Sequence, residues 1–166
     1  MTEEDAAELC ALVPRADIES DFLNRLPGEF DMTVQQEREF LRDRLADPGA
    51  LQIVAEVEGK IVATAGASSG KLQRYVHQAE LGVTVLKDYW GCGLGRRLTE
   101  SIVDWGRAKG LRKMTLHVFV DNERAISLYL SFGFVEEGRL KGDGLRRDGS
   151  YSDTILMAKH YVEPDS

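Results

Sequence analysis

Gly91, Gly93 and Gly95 alternate in the segment WGCGLG, directly after an apolar, β-branched run and directly before a helical pattern with Arg96 and Arg97 in its first turn. At such a strand-to-helix junction, unshielded backbone N–H groups and the positive end of the helix dipole combine into a seat for a phosphate or pyrophosphate. Glycine lets the backbone approach the anion closely. Arginines in a first helical turn oppose the dipole, a local cost that an anionic ligand offsets. The same glycines would also serve a tight turn with no ligand. The spacing is GxGxG where the dinucleotide fingerprint has GxGxxG, and GxxxxGK[ST] is absent. The phosphorylated ligand expected here is therefore neither NAD nor ATP.

Cys10 and Cys92 lie far apart, with no CxxC and no histidine at ligand spacing. Neither a disulfide framework nor a metal site is expected, and a reducing cytoplasm is the expected compartment.

The elements that must position the loop follow from periodicity. EEDAAELCALV reads as a helix, a polar stretch with LPGEF as a loop, and TVQQEREFLRDRLA as a second helix stopped by Asp47-Pro48-Gly49. LQIVAEV and KIVATAGA form a hairpin around Glu58-Gly59, and ELGVTVL is a third strand. Leu94, Leu98, Ile102 and Trp105 recur at helical spacing up to Gly110, MTLHVFV is a strand, and a helix opens at Asn122 and ends at Gly133. FVEEGRL and YSDTILMAK close the chain around a loop, KGDGLRRDGS. The resulting order αα-ββ-β-α-β-α-ββ predicts helices over a mixed sheet, an α/β or α+β architecture.

With 166 residues, 43% apolar and 30% charged, the chain reads as one globular domain over residues 1–166. No apolar run approaches the roughly 18 residues of a span, and MTEEDAAELC is acidic where a signal peptide is basic. No membrane partner and no export are expected. The balance of 21 basic against 28 acidic side chains, net −7, opposes attachment to phosphate backbones, so no nucleic acid is expected either.

The segment VTVLKDYWGCGLGRRL resembles the cofactor motif of the GNAT superfamily of N-acetyltransferases, a strand followed by Q/R-x-x-G-x-G/A and a helix, with Gly93 and Gly95 in the two glycine positions. LHVFVDNERAISLYLSFGFVEEG is similar to its second motif, an Asn at the helix start, then a Tyr, then GF. The likeness covers residues 50 to 160, with a cofactor core over 79–135, and GRLKGDGLRRDGSYSDTILM is similar to the branch that includes polyamine and ribosomal-protein acetyltransferases. It implies a mixed, mostly antiparallel sheet covered by helices on both faces, and acetyl-coenzyme A as acetyl donor. Two features depart from the pattern. Trp90 stands where Gln or Arg is usual, and the chain starts almost at a helix, EEDAAEL, where the family opens with a strand of the form IRxA.

The resemblance also implies roles. The backbone of Val83, Thr84 and Val85 would hold the pantetheine arm and thioester oxygen. Gly91, Cys92, Gly93, Leu94, Gly95 and Arg96 would hold the pyrophosphate. Asn122 would contact the cofactor arm, or only cap its helix. Tyr129 stands at the general-acid position, although Leu128 and Phe132 beside it also suit a core tyrosine. Glu80 stands where the family often has its base, and a surface carboxylate is the alternative. His77, in a loop, and His117, mid-strand between apolar neighbours and readable as structural, compete with it. Cys92 as a nucleophile lacks a His or Asp at an interpretable offset, so direct attack of the amine in a ternary complex is expected.

Residues 1 to 50 hold 13 acids against 5 bases, and residues 86 to 113 hold 3 against 7. An acidic first segment lining the acceptor groove would draw a polyamine, an aminoglycoside or a protein N-terminus. Arg139, Lys141, Arg146 and Arg147 point instead to an amine whose carboxylate they could hold, and a solvated acidic helix face explains the first segment equally well. The rival functions are a non-catalytic acyl-CoA-binding or regulatory module of the same fold and, disfavoured by loop spacing, a dinucleotide-dependent oxidoreductase. Apolar edge residues on the last strands leave a homodimer open.

Overall fold

The computed structural model describes residues 1–161. A single 3-10 turn, Glu3–Asp5, leads into α1 (Ala6–Glu19) and α2 (Val34–Ala46). There follow β1 (Ala50–Val57), β2 (Lys60–Ser69), β3 (Gln78–Val85), α3 (Leu94–Ala108), β4 (Lys113–Phe119), α4 (Glu123–Ser131), β5 (Val135–Leu145) and β6 (Tyr151–His160). This is the order read from the sequence. Among the described residues no strand precedes α1.

The strands form one sheet in the order β1-β2-β3-β4-β6-β5, with only β3 and β4 parallel. Glu58 and Gly59 turn β1 into β2 at φ of 51° and 75°, the left-handed geometry that a tight two-residue hairpin takes. Strand pleating sends Ala63, Ala65, Ala67, Ala79 and Leu81 to one face, where they pack with Leu98 and Ile102 of α3 and Tyr129 of α4. Ile61, Val62 and Leu86 join Leu9, Leu12 and Ala16 of α1 and Leu41 of α2 in a second core. Helices thus cover both faces, and each fully buried leucine contributes about 1.5–3 kcal/mol.

Two elements differ from the sequence reading. The first helix does not stop near Val13 but continues through Pro14 to Glu19. A mid-helix proline removes one i→i−4 bond. Here burial of Ala16 past the proline carries the helix on, and the buried Asp17 that follows is paired with Arg25 at 3.1 Å. The first half of the supposed loop KGDGLRRDGS is strand, since β5 reaches Leu145 and the hairpin turn is confined to residues 146–150. A bulge between Leu140 and Gly144 absorbs the turn-like residues. Asp153 of β6 fastens it, accepting from Gly142 N at 2.9 Å and Lys141 Nζ at 2.8 Å.

Candidate functional site

The site begins where two strands part. β3 and β4 pair for three residues, from Gln78 opposite Lys113 to Glu80 opposite Thr115, and the ladder stops there. The His77 carbonyl accepts from Arg112 N at 2.8 Å, so the odd-numbered residues of β3 aim their backbone groups at β4. Beyond the last pair, Leu81, Val83 and Val85 therefore face an opening. A cavity of about 560 Å³ occupies it, between β3, the glycine loop, α4 and the connection from α1 to α2.

Alternation then decides which side chains stand on each face. Ala79 and Leu81, like Met114 and Leu116, belong to the core under α3 and α4, so Glu80 and His117 project to the opposite face. There His117 Nδ1 lies 3.0 Å from Glu80 Oε1, and both side chains line the cavity. His117, which the sequence suggests is structural, is thereby paired with the carboxylate it competes with. A carboxylate only accepts, so Nδ1 carries a proton, and in the neutral form of the ring the lone pair is on Nε2. His77 is exposed and does not line this cavity.

Tyr129 reaches the same cavity from the other face. It lies on α4, 8% exposed, with its ring 5.7 Å from that of Phe134. Burial pushes its hydroxyl up to about 12, so it holds its proton throughout the neutral range.

The glycine loop closes one end. Gly91 and Gly93 have φ of 85° and 83°, and Gly93 caps α3 without any side-chain cap bond. Arg97 N donates to Gly93 O at 3.1 Å, which leaves the preceding amides of the first turn free. A Cβ on Gly93 would meet no protein atom within 4 Å, so the space over the helix terminus is open. Trp90, the departure from the family pattern, donates Nε1 to the Val85 carbonyl at 2.7 Å and so ties the end of β3 to the loop.

Of the residues expected to contact the cofactor, Val83, Thr84, Val85, Gly91, Gly93, Leu94, Gly95, Arg96 and Asn122 line the cavity, whereas Cys92 does not. The Cys92 side chain turns outward, its sulfur 4.0 Å from the Trp90 carbonyl. Asn122 caps α4, its Oδ1 accepting from Ala125 N at 3.2 Å. Arg96 donates to Ser131 Oγ at 3.0 Å and lies 5.3 Å over the Phe132 ring, which joins α3 to α4. Arg124 escaped the sequence reading. It stacks 5.5 Å over Trp90 and lies 3.7 Å from where a Gly91 Cβ would be. Only folding brings the first turn of α4 against the loop.

The wall contributed by the first segment also differs from expectation. Ser20, Phe22, Leu23, Asn24 and Arg25 form the wall contributed by the first segment, and no acid of that segment joins them in this cavity. Nor do Arg146 and Arg147 face it. Arg146 donates to Asp21 O at 2.8 Å, to Ser152 Oγ at 3.0 Å and to Asp121, between the rings of Phe22 and Phe119. Arg147 holds Ile18 O at 2.9 Å, Ser20 O at 2.7 Å and also Asp17 O. These arginines pin the wall in place, and their hydrogen-bonding edges are already occupied.

A helix terminus with free amides, beside a sheet whose strand groups face a cavity, has the chemistry to take an acyl carrier with a pyrophosphate at one end and a thioester at the other. The chain belongs to the acetyltransferase (GNAT) family, matched over residues 16–134. It is similar to L-amino acid N-acetyltransferase AaaT of Escherichia coli K12, 33% identical over 123 residues that cover 71% of this chain and 74% of that protein. Spermidine N(1)-acetyltransferase of Vibrio cholerae is 38% identical over 92 residues, 52% of this chain and 53% of its own. Among solved structures, the GNAT-family acetyltransferase of Streptococcus pneumoniae has a TM-score of 0.92 at 30% identity over 96% of each chain. The protein is an acetyl-coenzyme A-dependent N-acetyltransferase. Among the described residues no cluster of three or more His, Cys, Asp or Glu forms a metal site, and no helix is long and apolar enough to cross a membrane.

Proposed function

We propose that residues 1–166 form one N-acetyltransferase domain that acetylates a small-molecule primary amine by direct attack in a ternary complex. The observation that carries this reading is the Glu80–His117 pair on one face of the β3–β4 opening, with Tyr129 on the other. Acetyl-coenzyme A supplies an acetyl group activated as a thioester. The free first-turn amides after Gly93, with Arg124 alongside, hold its pyrophosphate, and the Val83 and Val85 backbone takes the arm.

Glu80 fixes the His117 ring and tautomer, so that Nε2 accepts the proton of the attacking amine. Strand amides facing the opening polarise the carbonyl. Tyr129 stands where the sulfur departs. A thiol titrates near 8.5, well below the buried tyrosine at about 12, so Tyr129 stabilises the departing thiolate chiefly by donating a hydrogen bond. The proton lost by the amine finally balances the thiolate.

Coenzyme A release with a panel of amino acids, polyamines and peptide N-termini tests the reading. Glu80→Gln and His117→Gln should each lower kcat/KM by about 10²- to 10⁴-fold while acetyl-coenzyme A still raises the melting temperature as in the parent. Full turnover in both variants would remove the pair from the mechanism.

A further inference from the structure

Beneath the connection from α1 to α2 lies a second chamber of about 360 Å³. Phe22 to Arg25 and His117 belong to the walls of both cavities, so the two spaces meet at the proposed base. The chamber offers the amine a route to His117 distinct from the phosphate seat. Its chemistry is set by the charges on its wall.

Arg25 is the only lysine or arginine among the described residues of that wall. Its Nε donates to Asp17 Oδ2 at 3.1 Å, and its guanidinium lies 5.7 Å over the Phe30 ring. Asp17 is fully buried, whereas the Arg25 side chain is 41% exposed. The buried carboxylate and the ring hold the guanidinium from behind. The two terminal nitrogens make no hydrogen bond to any other described residue, and a planar fork with that edge free matches a carboxylate. Of the two acids on the wall, Glu29 already accepts from Leu26 N at 2.8 Å, while Asp143 has no such bond. Glu37 lies close enough to feel Arg25, but it does not belong to this wall, and burial raises its pKa. A wall of mixed sign suits a zwitterion better than a polycation.

We propose that this chamber binds an acceptor amine that also carries a carboxylate, with the carboxylate on the terminal nitrogens of Arg25 and the amine directed to His117 Nε2. The inference rests on the acetyl-transfer reading and narrows its acceptor to amino acids and their analogues. The step forms the N–C bond and breaks the C–S bond, whose electron pair leaves with sulfur, and the amine proton passes to His117.

The test uses the full chain, acetyl-coenzyme A and matched acceptors: an L-amino acid, its carboxamide and the corresponding decarboxylated amine, with spermidine alongside. The acid form should exceed the other two in kcat/KM by at least about tenfold, mainly through KM, as a charge-assisted bidentate pair predicts. Arg25→Gln should erase most of that ratio, and Arg25→Lys, which keeps charge but loses the fork, should fall between. Both variants are first checked for an unchanged melting shift with acetyl-coenzyme A. Equal use of acid and carboxamide, preference for spermidine, or a ratio that survives Arg25→Gln overturns the inference and leaves acetyl transfer standing. If none of the amines is acetylated, the acetyl-transfer reading falls, and this inference with it.

Discussion

Glu80 Oε1 lies 3.0 Å from His117 Nδ1 although the strands that carry them stop pairing at Glu80 itself. The pair therefore bridges the first step of the opening. Residues that act as one unit lose activity non-additively. The double variant Glu80→Gln, His117→Gln should be no more than a few-fold slower than His117→Gln alone. Steady-state kcat/KM checks this, and independent, multiplying losses would mean that the two groups act separately.

Tyr129 ionises only near 12 in the folded protein, against about 10 when unfolded. A raised folded pKa stabilises the native state below the unfolded value, and that contribution is lost as pH rises through the folded one. Stability should therefore fall between about pH 10 and pH 12, by on the order of 2–3 kcal/mol from Tyr129. Denaturant unfolding across that range should show a smaller fall in Tyr129→Phe. Tyr161, also raised to about 12 by burial, adds in the same direction.

Gly93 combines a φ of 83° with open space where a Cβ would stand. Gly93→Val pays the left-handed backbone penalty of roughly 1–2 kcal/mol and places its side chain over the phosphate seat. The melting shift given by acetyl-coenzyme A should vanish while the variant stays folded at room temperature. A normal shift would show that the pyrophosphate binds elsewhere. Gly110→Val is the control, since Gly110 has a φ of 68° and open space for a Cβ but lies outside the cavity.

Arg146 is 8% exposed and joins Asp21, which lies between the wall residues Ser20 and Phe22, to Asp121, next to the cap of α4. Arg146→Met keeps some of the packing between Phe22 and Phe119 but drops the charge-assisted hydrogen bonds, worth about 2–3 kcal/mol. Chemical denaturation should show that loss, and kinetics should show a higher KM for the amine with little change in the KM for acetyl-coenzyme A. An equal rise in both would mean that Arg146 supports the whole fold and not the wall.

Local patterns settled most of the architecture. Leu98 and Ile102 repeat at helical spacing, Glu58-Gly59 marks a hairpin, and Gly93 marks the start of an amphipathic helix, all because the physics involved spans only a few residues. Local rules also misled where distant packing won. Pro14 is carried inside α1 by burial on its far side, and the turn-like Gly142 is held in β5 by Asp153 of β6. Arg146 and Arg147 read as ligand-binding cations because charge is visible in a sequence while the partner that neutralises it is not. The association of Glu80 with His117, 37 positions later, and the approach of Arg124 to Trp90 depend on which strands pair and where they separate. Backbone propensity and motif spacing carried the glycine loop and helix terminus of the proposed cofactor half. The proposed acceptor half, built where a loop, two strands and a helix end converge, was decided by tertiary structure alone, because its charges acquire meaning only once each has found, or failed to find, a partner.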